Sequence, residues 1–407
     1  MIFQPRLVLA GVSCLALAAC GGSDSATPQS PQRTAQHAAL PAPLLQLDTE
    51  RIGAGAGFSA GLSTDGTVYA WGDNQYGQLG QGHLASSLLP QPVRGLSSVH
   101  ALAVGDYHIL AMRRDGTVWG WGSNHYGQLG AGNRMNGATT PVQITGLSSV
   151  RTLSANSFLS VALRHDGSVW TWGRNGSHSS AQPVRVAGIA DAKAVAAGAE
   201  YVLAVRKDGT VWGWGSNNYG TLGKRPGNYA HPARVDGING VVAVSAARQH
   251  AMALRTDGSV WTWGTNMYAQ MGVEGYQLAP TRINGLPLPP NGASGVRQIA
   301  TGAYNSAVLY SDGSVWSWGA NHYGQIGDGS TSHRKVPARL NTVGNVVAMA
   351  VSDGFVIFLQ ADGTALGTGA NSMGALGNNT RSNTLLPVPV QGMSGTAPLN
   401  LGASRAK

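Results

Sequence analysis

Short apolar runs alternate with glycine-bearing turns along almost the whole chain. Aspartate is followed by glycine at Asp65, Asp115, Asp166, Asp208, Asp257, Asp312 and Asp362, and apolar runs flank each pair, as in "HILAMRR" before Asp115 and "TVWGWG" after it. An apolar run, Asp-Gly and a second apolar run predict a β-hairpin, because glycine accepts the positive φ that such turns demand. The pairs recur at intervals of 50, 51, 42, 49, 55 and 50 residues. A period near 50 built from strands alone predicts an all-β, seven-bladed β-propeller, one blade per copy.

Aromatic spacing agrees with strand geometry. Residues two apart share one face of a strand, so Tyr69/Trp71, Trp119/Trp121, Trp170/Trp172, Trp212/Trp214, Trp261/Trp263 and Trp316/Trp318 each place a large pair on one face. Six pairs in register predict packing between blades, with indole N–H groups bonded near strand ends. After five of the six pairs follows an "NxYGQLG" loop, seen as "NQYGQLG" from Asn74, "NHYGQLG" from Asn124 and "NHYGQIG" from Asn321. This loop lacks the Gly-Lys-Ser/Thr ending of a phosphate loop, and its many copies predict structure. The third copy, "WGRNGSHSSAQPV" from Trp172, has lost the loop, and the seventh carries Leu366 and Thr368 where tryptophans stand elsewhere.

Composition narrows the function classes. The chain of 407 residues holds 58 glycines, only 11% charged residues and a net charge of +9. Glycine disfavours helices, and no Lys/Arg cluster signals nucleic-acid binding. The N-terminal segment has Arg6, then an apolar run from Leu7 to Ala19 that is short for a membrane span, and ends in "LAAC" before "GGSDSATPQSP". It is similar to a bacterial lipoprotein signal. That likeness implies cleavage of residues 1–19, lipidation of Cys20 and stable anchoring by several acyl chains. Residues 20–45, rich in Pro, Ala, Ser and Gln, predict a flexible tether, and 393–407 a loose, disordered tail. The other cysteine, Cys14, leaves with the signal, so no disulfide or cysteine metal site is expected.

Catalytic patterns fail on context. "GFSAG" from Gly57 has the esterase spacing but lies inside a strand repeat, without the strand-to-helix elbow. The histidines show no zinc spacing, and "DGSTSH" from Asp328 lacks the acidic set of a calcium loop. No catalytic, metal or cofactor site is expected.

The combination "Gly-x-x-His", Asp-Gly, "VWxWGxNxYGQLG" and "PxxV", clearest in "GDYHILAMRRDGTVWGWGSNHYGQLG" from Gly105, resembles the RCC1 repeat family over residues 46–392. The resemblance implies a propeller with one face built from the short turns ahead of each Asp-Gly. Those turns would gather Asp106, Tyr107, Phe158, Glu200, Tyr201, Arg248, Gln249, Tyr304 and Asp353 as a partner-binding surface, with the GQLG loops on another face. Aromatics with arginine and acids are typical of interface hot spots. His108 and His250 are expected to pack beneath the turns. The leading expectation is a monomeric, lipid-anchored module of the outer membrane or cell surface that docks a protein partner, with precedent in a secreted β-lactamase inhibitor of this family. The alternatives are a regulatory role, such as guanine-nucleotide exchange or a cytoskeletal function, and a lectin or enzyme. Gln46 to Ile52 and Pro387 to Val390 are the segments expected to close the ring.

Overall fold

The computed structural model describes residues 51–134, 137–288 and 295–403. The expected signal segment, Cys20 and the tether lie outside them. Twenty-eight strands, β1–β28, form seven four-stranded antiparallel sheets, each built from four consecutive strands. The blades span 52–92, 99–144, 150–185, 192–234, 241–282, 296–340 and 346–389. First strands of neighbouring blades pack together around the axis. The all-β, seven-bladed propeller read from the repeat is the fold observed.

Each Asp-Gly closes the hairpin between a blade's second and third strands. In blade 2, Gly116 (φ 81°) donates to Arg113 O at 2.9 Å, and Asp115 Oδ1 accepts from Thr117 N at 2.9 Å. The aspartate therefore bonds its own turn, as the Asx geometry of such residues favours.

The tryptophan pairs divide their work. Trp71, Trp121, Trp172, Trp263 and Trp318 are wholly buried or nearly so, whereas their partners nearer the Asp-Gly turn are half-buried. Each buried indole donates to the GQLG loop of the preceding blade: Trp121 to Gln78 O (3.0 Å), Trp172 to Gln128 O (2.8 Å) and Trp318 to Gln270 O (2.9 Å). Within the loop, Asn74 Oδ1 accepts from Leu79 N, and Gln78 Oε1 from Tyr76 N, both at 2.9 Å. The loop is thus a plug between blades, with Leu79, Leu129, Leu222, Met271, Ile326 and Leu376 buried. Where blade 3 has lost it, a Gly176-Ser177 turn joins β11 (Val169–Asn175) to β12 (His178–Arg185), and the Asn175 side-chain amide oxygen accepts from Trp214 Nε1 at 3.1 Å instead. In blade 7, Thr368 replaces the indole and donates to Gly324 O at 2.9 Å.

Closure differs from the sequence expectation. A ring of seven blades has seven junctions, but a linear chain supplies six connections. β1 (Ile52–Ala54) packs on β25 (Val346–Val351) and β26 (Phe355–Gln360), with no exchange of strands between the first and last blades. The seventh connection comes from the C-terminal segment. Leu399 and Leu401 are buried in one cluster with Ile52, Trp71, Ile357 and Leu376. Thr64 N bonds Leu401 O, just as Arg114 N bonds Ser98 O at the first junction. Arg51 donates to Leu401 O and Gly402 O, and Trp71 Nε1 to Ala375 O at 2.8 Å. Residues 393–403 are therefore not a loose tail. Polar letters between Gly392 and Lys407 hide two leucines that only the seam gives a place to bury.

The "Gly-x-x-His" histidines are core residues. His108 Nε2 pairs with Ser160 Oγ at 2.8 Å and His250 Nε2 with Ser306 Oγ at 2.7 Å. A Cβ at Gly105 would sit 2.7 Å from the His108 ring, so glycine is needed there. Burial lowers His108 to about 4 and His250 to about 3. The folded values lie below the unfolded one near 6.5, so this stability is intact above pH 6.5 and lost as pH falls towards 4. His108→Phe copies Phe58 and Phe355 of blades 1 and 7. It is expected to cost about 1 kcal/mol at neutral pH, through the hydrogen bond taken from Ser160, and to move the acid-unfolding midpoint downward, read by circular dichroism between pH 7 and 3.5. An unchanged midpoint would show that His108 does not drive acid sensitivity.

Candidate functional site

An antiparallel meander alternates ends. The short turn after each first strand and the loop after each third strand must leave the blade at the same end, and the Asp-Gly turn at the other. The inner turns and the NxYGQLG loops accordingly share one face, correcting the expectation of two. Asp73 N bonds Gly57 O (2.9 Å) and Ser123 N bonds Tyr107 O (2.8 Å), tying each loop to the inner turn of its blade.

On that face the loop tyrosines Tyr76, Tyr126 and Tyr268 cover the inner turn of the next blade. Tyr76 meets Tyr107 edge-on, with ring centroids at 5.5 Å, and Tyr107 stacks on Phe158 at 5.2 Å. Tyr126 lies 4.8 Å from Phe158. Across the ring, Tyr268 meets Tyr304 edge-on at 5.1 Å, with His322 and His333 beside it. Blade 3 has no loop tyrosine to offer blade 4. Arg174, at the end of β11, reaches Glu200 instead, with Nε to Oε1 at 3.0 Å, and lies 5.1 Å over the Tyr126 ring.

Charged groups gather nearer the axis. Arg248 Nη2 lies 3.4 Å from Asp106 Oδ2, which also accepts from Ser157 Oγ at 2.7 Å. Asp353 Oδ1 accepts from Ala303 N at 3.1 Å. These three residues rim an axial cavity of about 260 Å³, lined further in by Ser154, Asn156, Ser245 and Thr301. Burial, reinforced by Asp106, pushes the Asp353 carboxyl up to about 6, with Arg248 opposing. Burial works against the Arg248 charge, but Asp353 and Asp106 outweigh it and raise its pKa. The mouth thus carries two acids and one arginine, and Asp353 exchanges its proton near pH 6.

Seven of the nine residues expected at a partner surface meet here: Asp106, Tyr107, Phe158, Glu200, Arg248, Tyr304 and Asp353. Two do not. Tyr201 occupies the same core position as His108. It is 2% exposed, and its hydroxyl donates to His250 O at 3.2 Å. Gln249 is buried, and its Oε1 accepts from Thr265 Oγ1 at 3.1 Å. In a three-residue turn between buried strands, some side chains must point inward, and sequence variation does not tell which. Tyr76, Tyr126, Tyr268 and Arg174 were missed, because the loops that carry them read as structure alone. The tyrosine recurring inside "NxYGQLG" was the available signal.

The catalytic-looking residues resolve as packing. Ser59 of "GFSAG" is buried on β2 (Phe58–Leu62) and donates to Ala375 O at 2.8 Å. The His108–Ser160 pair is sealed from solvent. Asp328 bonds Ser330 and Arg334 within its own loop. Among the described residues, no group of three or more His, Cys, Asp or Glu could hold a metal ion.

The repeat described as Regulator of chromosome condensation (RCC1) repeat matches residues 65–112, 115–163, 208–254, 257–309 and 312–359, more than half of the chain. The chain belongs to the RCC1 repeat family. A second description of the same repeat matches five further-overlapping stretches, from 50–78 to 296–325. Among solved structures, this RCC1 propeller is similar to Prp20p of Saccharomyces cerevisiae, with 24% identity and a TM-score of 0.73 over 82% of this chain and 88% of that one. It is also similar to human WBSCR16, with 20% identity and a TM-score of 0.68 over 79% and 94%. Curated relatives include the E3 ubiquitin-protein ligase HERC2 of Mus musculus, 30% identical over 129 residues, and the mitochondrial RCC1 domain-containing protein RUG3 of Arabidopsis thaliana, 36% identical over 70. Those stretches are 30% and 17% of this chain, and 3% and 16% of the relatives.

Proposed function

We propose that this RCC1 propeller is a lipid-anchored cell-envelope module that docks a protein partner on the face where the inner turns and GQLG loops meet. The observation that carries this reading is the joining of Tyr107, Phe158, Tyr304 and Arg248 into two aromatic clusters around a charged axial mouth. Large rigid aromatics with one arginine supply contact area at little entropic cost. Protein docking has precedent at this likeness: yeast RCC1 (Prp20) has been solved bound to Kap60, and Prp20p has been studied for binding to Gsp1p and histones. The envelope setting rests on the "LAAC" sequence ending at Cys20.

Two measurements test the two halves. Mass spectrometry of the mature N-terminal peptide is expected to show an acylated Cys20, and Cys20→Ser is expected to leave the membrane fraction on washing in high salt. An unmodified Cys20 would overturn the anchor. Partner capture from envelope extract, by wild type and by the Tyr107→Ala/Arg248→Ala/Tyr304→Ala chain, tests the face. A partner retained equally by both would overturn the docking site.

A further inference from the structure

The face opposite the aromatic one has its own chemistry. Each Asp-Gly turn carries an aspartate, yet in blades 3, 4 and 5 two arginines act on it: Arg164 and Arg185 on Asp166, Arg206 and Arg234 on Asp208, Arg255 and Arg282 on Asp257. In blades 3 and 5 this leaves one positive charge in surplus at the turn; in blade 4 Arg206 also pairs with Asp191 at 2.7 Å, and exposed Lys207 supplies the extra positive charge. The aspartates are also spent locally. Asp166, Asp208 and Asp257 accept from the backbone N–H and hydroxyl of Ser168, Thr210 and Ser259 at 2.6–3.0 Å.

The two arginines differ in role. Arg164, Arg206 and Arg255 lie over the rings of Trp170, Trp212 and Trp261 at 5.3–5.7 Å. Their job is to cap half-buried indoles. Arg185, Arg234 and Arg282 sit on fourth strands opposite the same tryptophans and are exposed. Arg339 repeats this in blade 6, beside Asp312, and Arg114 and Lys207 stand exposed on their turns. On the aromatic face, by contrast, Arg248 and Arg174 are paired with Asp106 and Glu200.

Chain direction adds a second observation. β1 runs from the Asp-Gly face towards the inner turns, so the chain enters the ring on the Asp-Gly face. Arg51, ahead of β1, bonds Leu401 O and Gly402 O, and Thr64 beside the first Asp-Gly bonds the same Leu401 O. Arg51 therefore stands on the side where positive charge is in surplus.

We propose that the Asp-Gly face docks on an anionic lipid surface, holding the aromatic face away from the membrane. Basic side chains within a Debye length of anionic headgroups gain attraction that salt removes. The exposed fourth-strand arginines fall one each on the consecutive blades 3 to 6, an arc along the base that suits a flat surface rather than a pocketed ligand. Orientation follows from the charge and the entry point together, and it leaves the aromatic face free to meet a partner.

The proposal rests on the anchored reading only for delivery to the membrane, and flotation of the full chain with neutral phosphatidylcholine vesicles tests that anchor separately. Orientation is read by labelling single cysteines, Lys207→Cys or Tyr304→Cys, with an impermeant maleimide in a Cys14→Ser background. On vesicles containing phosphatidylglycerol, Lys207→Cys labelling is expected to slow at least about fivefold relative to phosphatidylcholine. Half-molar salt restores it, and Tyr304→Cys labels equally on both. Arg185→Gln/Arg234→Gln/Arg282→Gln is expected to abolish the difference. Equal labelling of Lys207→Cys on both vesicles, or protection of Tyr304→Cys instead, would overturn the proposal. So would slowing of Lys207→Cys labelling that survives half-molar salt.

Discussion

Leu401→Ala is expected to destabilise the propeller by about 3 kcal/mol, the usual cost of emptying a fully buried leucine site. Leu401 is 0% exposed and packs in the seam cluster with Ile52, Trp71, Ile357 and Leu376. Little can collapse into the space, because the seam is held by backbone bonds on both sides: Leu401 N to Gly363 O and Thr64 N to Leu401 O. Removing residues 397–407 is expected to cost more, since it takes both Leu399 and Leu401 out of the seam cluster and removes two of the carbonyl acceptors of Arg51. Met393→Ala is the internal control. Its side chain is 54% exposed, so the change should stay within about 0.5 kcal/mol. Urea unfolding of the three variants, followed by tryptophan fluorescence, checks this, and Trp71 reports directly from the seam. A neutral Leu401→Ala would mean that blades 1 and 7 hold each other without the C-terminal segment.

The second large effect concerns recognition. Tyr107→Ala/Arg248→Ala/Tyr304→Ala is expected to weaken partner binding a thousandfold or more, about 4–6 kcal/mol, if each residue behaves as a hot spot. Stability should fall far less. Tyr107 and Tyr304 are half-buried on turns, with aromatic neighbours that remain packed without them. Arg248→Ala does leave Asp106 and Asp353 facing each other and removes the charge that opposes the upward shift of Asp353, so the repulsion eases as pH falls and Asp353 takes a proton. Thermal melts at pH 5 and 8 separate this folding cost from the binding loss. Lys207→Ala, on the opposite face, should leave partner affinity unchanged. Equal weakening by Lys207→Ala would place the partner elsewhere.

The two outcomes bear differently on what could be read ahead of the structure. The charged mouth was half legible. Asp106, Arg248 and Asp353 stand at equivalent places in three separate repeats, so ring geometry had to bring them together once seven copies were counted. The tyrosines of the loops were not legible as surface. Their neighbours Asn74, Gln78 and Leu79 carry the plug, and nothing in "NQYGQLG" separates the residue that faces out from those that face in.

What the sequence determined by itself was everything set by short range. Strand alternation, the Asp-Gly hairpins and the tryptophan pairs depend on residues within about ten positions of one another. Copies of one such unit stack into a ring because each must cover the apolar flank of the last. Tertiary structure alone decided three things. It put the inner turns and the loops on one face, because an antiparallel meander returns to the same end every second turn. It turned Tyr201 and Gln249 inward and Tyr107 and Tyr304 outward, a choice made by the blade packed alongside. It gave Leu399 and Leu401 a place in the core, because a closed ring needs one more junction than a linear chain has connections.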